Sequence, residues 1–184
     1  MGILLSFAPF IAFALIDRLV GSVEGLSAGF AISALFLARD WLSATRNAKL
    51  LEVGTAILFG LLAGCALAFD PGWSVIGVRL MVDAGLLLIV LASIVVRQPF
   101  TLQYAREQVS DEVAKSPAFL RTNYIISAAW ALAFAVLVAA DLVMLYLPDL
   151  HRLGIIVTIV ALVGAFKFTS DYPAKQRGLA KSTA

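Results

Sequence analysis

The fold of this chain is decided by residues 50–69, which read LLEVGTAILFGLLAGCALAF. Apart from Glu52 the stretch is uncharged, and it matches the roughly 20 residues that a helix needs to cross the hydrocarbon core of a bilayer. A helix satisfies its own backbone hydrogen bonds in lipid, where an irregular segment does not. The stretch therefore predicts a membrane-spanning helix.

Comparable apolar runs occupy most of the 184-residue chain. The chain is 61% apolar and 14% charged, with a mean hydropathy of +0.96, and a soluble domain of this size cannot bury so much apolar surface. We predict an all-α fold, a polytopic transmembrane bundle of six helices that forms a single membrane domain over residues 1–184. The predicted helices cover residues 3–20, 23–37, 50–69, 74–96, 123–147 and 153–168. Pro9 lies inside the first of them, where its missing N–H predicts a kink.

Two polar regions remain outside these helices, a cytoplasmic segment at 97–122 and a basic tail at 169–184. In the segment, Phe100 and Tyr104 follow Pro99 with the spacing of about one helical turn. This pattern predicts a short interfacial helix between the fourth and fifth spans, whose aromatic side makes a contact at the membrane surface.

Small residues recur at every fourth position on the second and third predicted helices. Such spacing lets two helix backbones approach closely, so it predicts that these helices pack against each other. The alternative is that glycine is simply more frequent in membrane helices than in soluble ones. The recurring residues are Gly21, Gly25, Gly29 and Ser33 on the second helix, and Ala56, Gly60, Gly64 and Ala68 on the third.

Basic residues concentrate in every second connection, and this sets the predicted orientation. With six helices, the segments rich in Lys and Arg all fall on one side of the membrane, the cytoplasmic side by the positive-inside rule. Both termini are then expected to be cytoplasmic. The first run lacks a basic start and a small-residue cleavage site, so we expect a retained helix rather than a signal peptide. The basic residues are Arg39, Arg46 and Lys49, then Arg97, Arg106, Lys115 and Arg121, and in the tail Lys175, Arg177 and Lys181.

Ionisable residues within or beside the apolar runs are the candidate functional residues, because a charge at the centre of a membrane helix costs roughly 2.5 to 3.5 kcal/mol on insertion scales. Arg79 and Asp83 lie four residues apart and share one helix face. One interpretation is a structural ion pair with wetted charges around it. The other is an outward-facing polar pocket in which Asp83 or Asp141 binds a cation or a proton. The candidate pocket residues are Asp17, Arg18, Glu24, Arg79, Asp83 and Asp141.

Several function classes are disfavoured by composition. The net charge is only +2 and the basic residues do not form one face, so nucleic acid is not an expected partner. His151 is the only histidine, which argues against a histidine-rich metal site, and its position in the predicted loop after Pro148 argues against a Ser-His-Asp triad. Lys167 is expected to snorkel to the interface, and the only cysteine, Cys65, to be a packing residue. We expect no catalytic residues, no metal and no cofactor, and hence not an enzyme.

A series of short motifs runs along the whole chain. They are Phe7-Ala8-Pro9, the basic loop 39–49, Arg97-Gln98-Pro99-Phe100, the series Pro117, Phe119, Asn123 and Trp130-Ala131, and finally Phe166-Lys167. In their order the chain resembles the intracellular septation protein A family, small polytopic proteins of bacterial inner membranes. It departs from that pattern at Ala118-Phe119, where the family usually has a tryptophan after the proline, and in a longer and more acidic loop at 97–117.

The resemblance implies a role in envelope elongation or septum formation through contacts with other inner-membrane proteins, and it assigns no catalytic residues. The expected partners are membrane lipid and other inner-membrane proteins, and an oligomer of this chain is also open. Two alternative functions remain. One is a carrier for a small solute, an ion or a proton that uses the charged pocket, and the other is an accessory subunit of a larger membrane complex.

Overall fold

Within the residues that the computed structural model describes, every regular element is a helix. These residues are 5–42, 49–69 and 71–182, with side chains described as far as residue 174. Arg46 and the basic side chains of the tail lie outside them. The chain divides into two compact units, Met1–Ile89 and Val90–Ala184.

The first unit consists of three helices and the start of a fourth. A 3-10 turn at Leu5–Phe7 leads into α1 (Ala8–Leu19), and a two-residue connection joins α1 to α2 (Ser22–Leu42). α3 (Leu50–Phe69) packs on α2. α4 (Val75–Val95) begins in this unit and ends in the next.

The core of the first unit surrounds the ring of Phe59, which is fully buried on α3. The rings of Phe10 and Phe13 from α1 lie 5.2 and 5.6 Å from it, centroid to centroid, which is within the range of favourable aromatic contacts. Leu26 of α2 and Val78 of α4 belong to the same cluster. One core therefore holds α1, α2, α3 and the start of α4 together.

The start of α1 differs from the sequence-based prediction. Pro9 is the second residue of a helix that begins at Ala8, and at that position the N–H has no intrahelical acceptor, so proline fits without distortion. The predicted kink at Pro9 is therefore wrong. α1 has 12 residues, which corresponds to about 18 Å at the α-helical rise, less than the ~30 Å of a bilayer core.

The second unit begins with the end of α4. Arg97 adopts a left-handed φ of 59°, its N–H donates to the carbonyl of Ile94 at 3.1 Å, and the N–H of Gln98 donates to that of Ser93 at 2.9 Å. This Schellman pattern satisfies carbonyls of the last helical turn, and Pro99 follows, which cannot continue a helix. The end of α4 is thus set by local sequence.

Four further helices complete the second unit. α5 (Phe100–Arg106) and α6 (Asp111–Ala114) are short, whereas α7 (Pro117–Tyr146) and α8 (His151–Ser182) are long and are joined through a 3-10 turn at Pro148–Leu150. α7 contacts both α5 and α8. It is therefore the element on which the unit is assembled.

α7 begins six residues before the predicted start at 123. The hydroxyl of Ser116 accepts a hydrogen bond from the N–H of Phe119 at 3.3 Å, and Pro117 occupies the first helical position. A serine N-cap followed by proline is a favourable helix start. The polar segment between α4 and α7 is correspondingly shorter than predicted.

α8 continues well beyond its predicted end at 168. It runs through Pro173 to Ser182. The proline ring removes one hydrogen bond, the one that would reach the carbonyl of Thr169, and this loss does not end the helix. The predicted end before Pro173 is therefore wrong.

Five of the described helices are long and apolar enough to cross a membrane. α1 is shorter and does not belong to this group. The prediction of an all-helical architecture with several helices suited to the membrane is confirmed at this level. The five stretches are Ser22–Leu42, Leu50–Phe69, Val75–Val95, Pro117–Tyr146 and Pro148–Ala174.

Candidate functional site

A cavity of about 240 Å³ lies in the first unit, where α2 and α4 begin and α3 ends. We name it the Glu24 cavity. The turn Pro71-Gly72, between α3 and α4, forms part of its wall. The side chains that define it are Ser22, Glu24, Leu26, Ala66, Trp73 and Val78.

The Glu24 cavity lies over the apolar core and has a polar rim. Leu26 and Val78 beneath it are 0% and 1% exposed, so they belong to the protein core and offer the cavity almost no surface. Glu24 is exposed and Trp73 is half-buried. The arrangement therefore places a carboxylate and an indole ring over the apolar core.

Asp17 of α1 is linked to this cavity by one hydrogen bond. Asp17 is only 7% exposed, and its carboxylate accepts a hydrogen bond from the hydroxyl of Ser22 at 2.6 Å. Ser22 in turn lines the cavity. Of the predicted pocket residues, Glu24 is therefore at the cavity and Asp17 lies directly behind its wall.

Two glycines shape the start of α2: Gly25 lies within it, whereas Gly21, predicted to lie on this helix, precedes its first residue. A Cβ added to Gly25 would lie 2.9 Å from the backbone nitrogen of Asp17, so glycine at this position lets the α1 backbone approach α2. A Cβ added to Gly21 would lie 2.6 Å from Oε2 of Glu24, so the carboxylate folds back over Gly21. The two glycines therefore leave room for Asp17 and Glu24 in addition to allowing helices to pack closely.

The other four predicted pocket residues lie elsewhere. Arg18 is exposed near the end of α1, and Arg79 and Asp83 are half-buried one turn apart on α4. Asp141 belongs to α7 in the second unit. Neither unit by itself therefore brings all six predicted residues into one pocket.

The pair α7 and α8 forms an antiparallel hairpin. Near one end, Nε1 of Trp130 donates to the hydroxyl of Thr169 at 2.9 Å. Near the other end, the side chain of Met144 lies over Gly154, which has no side chain to displace it. These two contacts fix the register of the hairpin.

Asp141 is 0% exposed on α7. The hairpin register places Thr158 of α8 level with it. A carboxylate and a hydroxyl therefore occupy the same depth of the hairpin, each within an apolar stretch of its helix. In hydrocarbon such groups are retained where they bond to a partner or serve a function.

Phe100 and Tyr104 lie inside the second unit, at 0% and 1% exposure, rather than on a surface that faces lipid headgroups. Thr101, between them, donates to the carbonyl of Asn123 at 2.9 Å and pairs with the hydroxyl of Ser127 at 2.8 Å. Their aromatic rings and these polar contacts dock α5 onto α7. The two aromatic residues thus serve internal packing.

The remaining predicted packing residues lie where α2 meets α3. A Cβ added to Gly29 would lie 2.8 Å from the ring of Phe59, and one added to Gly60 would lie 3.0 Å from the ring of Phe30. The two helices therefore pack ring against glycine in both directions. No described atom of the chain lies within 4 Å of a Cβ added to Gly64.

A charge cluster at the other end of the α2–α3 pair was not singled out from the sequence. Nη2 of Arg39 lies 2.5 Å from a carboxylate oxygen of Asp40, and Nζ of Lys49 lies 3.8 Å from carboxylates of both Asp40 and Glu52. The signal was present in the sequence, because Glu52 is an acidic residue within an apolar run, three positions from a lysine. We name these four residues the Lys49 cluster.

No family model, no curated protein and no solved structure matches this chain. The described part of the fold places the chain in a broad class, the helical proteins with several helices able to cross a membrane.

Proposed function

We propose that this chain is a non-enzymatic protein of the bacterial inner membrane that acts in cell-envelope or septum assembly through contacts with other membrane proteins. The proposal adopts the role that the resemblance to the septation protein A family implies. It includes six membrane crossings, with α1 as the first, both termini in the cytoplasm, and α5 and α6 at the cytoplasmic interface.

The observation that carries this proposal is the open face of α3. Gly64 is exposed, and no described side chain of the chain fills the space beside it. Ala68, one turn further along α3, is also exposed, so the face presents two small residues in series. In lipid, exposed apolar area alone does not drive association, whereas a small-residue face lets another helix approach closely. This supports a partner helix on α3.

The test uses cells that lack the chromosomal copy of this chain and carry a variant instead. Loss of the chain should produce defects in septum formation or cell length, and the wild-type chain should restore both. Gly64→Leu should fold and insert normally, because the space beside Gly64 is open, but should not restore division. Photo-crosslinking from position 61, exposed on the same helix, should yield adducts with inner-membrane proteins of envelope assembly, and Gly64→Leu should remove them.

The matched control is Gly164→Leu on α8, since a Cβ at Gly164 likewise meets no described atom within 4 Å. This variant should restore division as the wild type does. Normal septa in cells without the chain, or full restoration by Gly64→Leu, would contradict the proposal. Failure of Gly164→Leu together with success of Gly64→Leu would place the contact on α8 and contradict the assignment to α3.

A further inference from the structure

We infer that Asp141 is a proton-binding site inside the α7–α8 hairpin, and that the hydroxyl of Thr158 is the group on the facing helix that hydrogen-bonds to it with and without the proton. This inference goes beyond the proposed contact function and does not depend on it.

The geometry of the hairpin places the two side chains opposite each other. Asp141 comes eleven residues after Trp130, and Thr158 comes eleven residues before Thr169. Eleven residues are close to three full turns at 3.6 residues per turn, so each side chain shares the helix face that makes the Trp130–Thr169 hydrogen bond. On the far side of this pair the helices meet again where Met144 lies over Gly154. Asp141 and Thr158 therefore face each other between two observed contacts.

The hydroxyl of Thr158 is not committed to its own helix. A serine or threonine within a helix commonly donates to a carbonyl three or four residues earlier, and on the same helix Thr169 does so to Ala165 at 2.8 Å. Oγ1 of Thr158 is buried, yet it has no hydrogen-bond partner among the described atoms of the chain. It is therefore available to the carboxyl group on α7, directly or through one water molecule. The bond that Thr158 does not make is made elsewhere by Ser27, Ser33, Thr55, Ser93 and Ser170.

A hydroxyl suits a carboxyl group that gains and loses a proton. It donates to the ionised carboxylate and accepts from the protonated acid, whereas lysine and arginine only donate. Carboxyl groups at this depth of a membrane commonly belong to proton or ion pathways. Among the described residues, no three His, Cys, Asp or Glu side chains are grouped so that they could hold a metal ion. A proton is therefore the ligand that the site fits.

Few charges surround this site within the second unit. Asp141 is the only buried Asp, Glu, His, Lys or Arg among the side chains described there. On α8, the charged residues nearest to Thr158 in each direction are Arg152 and Lys167, six and nine residues away and exposed. The charged groups on the other elements that contact α7 are also exposed, namely Arg106 on α5, Asp111 and Glu112 on α6, and Asp149 on the 3-10 turn. The charged residues of α4, Arg79 and Asp83, belong to the first unit.

The phenol of Tyr104 is the buried titratable group of α5. α5 docks near the start of α7, where Thr101 bonds to the carbonyl of Asn123. Asn123 precedes Asp141 by eighteen residues, or about 27 Å at the α-helical rise. The phenol is therefore too far along α7 to exchange a proton with Asp141.

The test is pH-dependent infrared difference spectroscopy of the purified full chain in nanodiscs. Protonation of a carboxylate creates the C=O stretching band of a carboxylic acid. We expect a component of this band that Asp141→Asn lacks. Thr158→Val keeps the shape of the side chain without its hydroxyl and should shift this component to higher frequency, because the acid loses a hydrogen bond. Thr158→Ser restores the hydroxyl and should return the component to the wild-type frequency.

Two controls assign the proton to this site. Asp83→Asn removes the carboxylate of α4 and should keep the component. Gly64→Leu, which tests the contact function, should also keep it, so the two proposals fail separately. The inference is overturned if Asp141→Asn retains the full band, if Asp83→Asn loses the component instead, or if Thr158→Val leaves its frequency unchanged. Should Asp141→Asn not fold, the two Thr158 variants decide, because a component that moves with this hydroxyl belongs to the facing carboxyl group.

Discussion

Three buried charged residues meet between the end of α2 and the start of α3: Asp40, Lys49 and Glu52. The lysine nitrogen is 3.8 Å from a carboxylate oxygen of each acid. Burial removes water from all three charges, so the cluster as a whole need not be more stable than apolar residues of the same size. Removing one member has a different effect, because the others then lose a counter-charge.

Lys49→Met should therefore lower the free energy of unfolding by about 3 to 5 kcal/mol, the usual range when one partner of a buried ion pair is removed. The double variant Lys49→Met with Glu52→Gln should recover a large part of this loss, because it removes the stranded charge as well. Reversible unfolding in mixed micelles measures both values.

Lys115→Met provides the control for these variants, since Lys115 is exposed and surface substitutions usually change stability by no more than about 0.5 kcal/mol. Equal stability of Lys49→Met and the wild type would show that the cluster is not held together by charge. A double variant less stable than the single one would contradict the stranded-charge explanation.

At the scale of elements, the α7–α8 hairpin depends on small and polar residues at its contact. Thr169 accepts from Trp130 at 2.9 Å while its hydroxyl donates to the carbonyl of Ala165 at 2.8 Å. At the other end, Met144 is buried over Gly154. Lipid competes with apolar helix contacts in a membrane, so such close approaches carry much of the association.

Gly154→Leu should destabilise this hairpin by about 1 to 3 kcal/mol, because the new side chain overpacks against Met144. Gly164→Leu on the same helix should not destabilise it, since its added atoms meet open space and leucine favours a helix by up to about 1 kcal/mol over glycine. Melting temperatures of the two purified variants in the same detergent test the difference. Equal melting temperatures would contradict the assigned register.

Helix ends show which local signals the sequence carries. Ser116 and Pro117 form a capping pattern that predicts the start of α7, although apolar periodicity alone placed it at 123. Pro9 was expected inside a helix and lies at the start of one. Pro173 was expected beyond the end of a helix and lies inside one. A proline restricts the local backbone, but whether the helix starts, kinks or continues there depends on neighbouring packing.

At the scale of the whole molecule, hydropathy was sufficient for the helical class and for all five helices able to span a membrane. The candidate cavity was only partly predictable. Glu24 stood out because a charge beside an apolar run is expensive. Ser22 and Trp73 did not, because serine and tryptophan are ordinary at a helix end or a membrane boundary, and only tertiary packing brings them together with Glu24.

The orientation of the chain depends chiefly on α1. If the five longer helices all cross, they determine on which side of the membrane each connection after α2 lies. α1 has 12 residues, which is fewer than the roughly 20 needed to span. We expect reporter fusions at the N-terminus and the C-terminus both to face the cytoplasm. Reporters on opposite sides would show that α1 does not cross and that the chain spans the membrane five times.

The ring-against-glycine packing of α2 and α3 prevents the two helices from sliding along each other. A shift of one turn would move Phe59 from Gly29 to either Gly25 or Ser33. The space beside Gly25 is already occupied by the α1 backbone at Asp17. Ser33 carries a side chain, whose hydroxyl donates to the carbonyl of Gly29. α2 and α3 therefore move together as one rigid body. Any gating or rocking motion of this protein has to occur at other helix contacts.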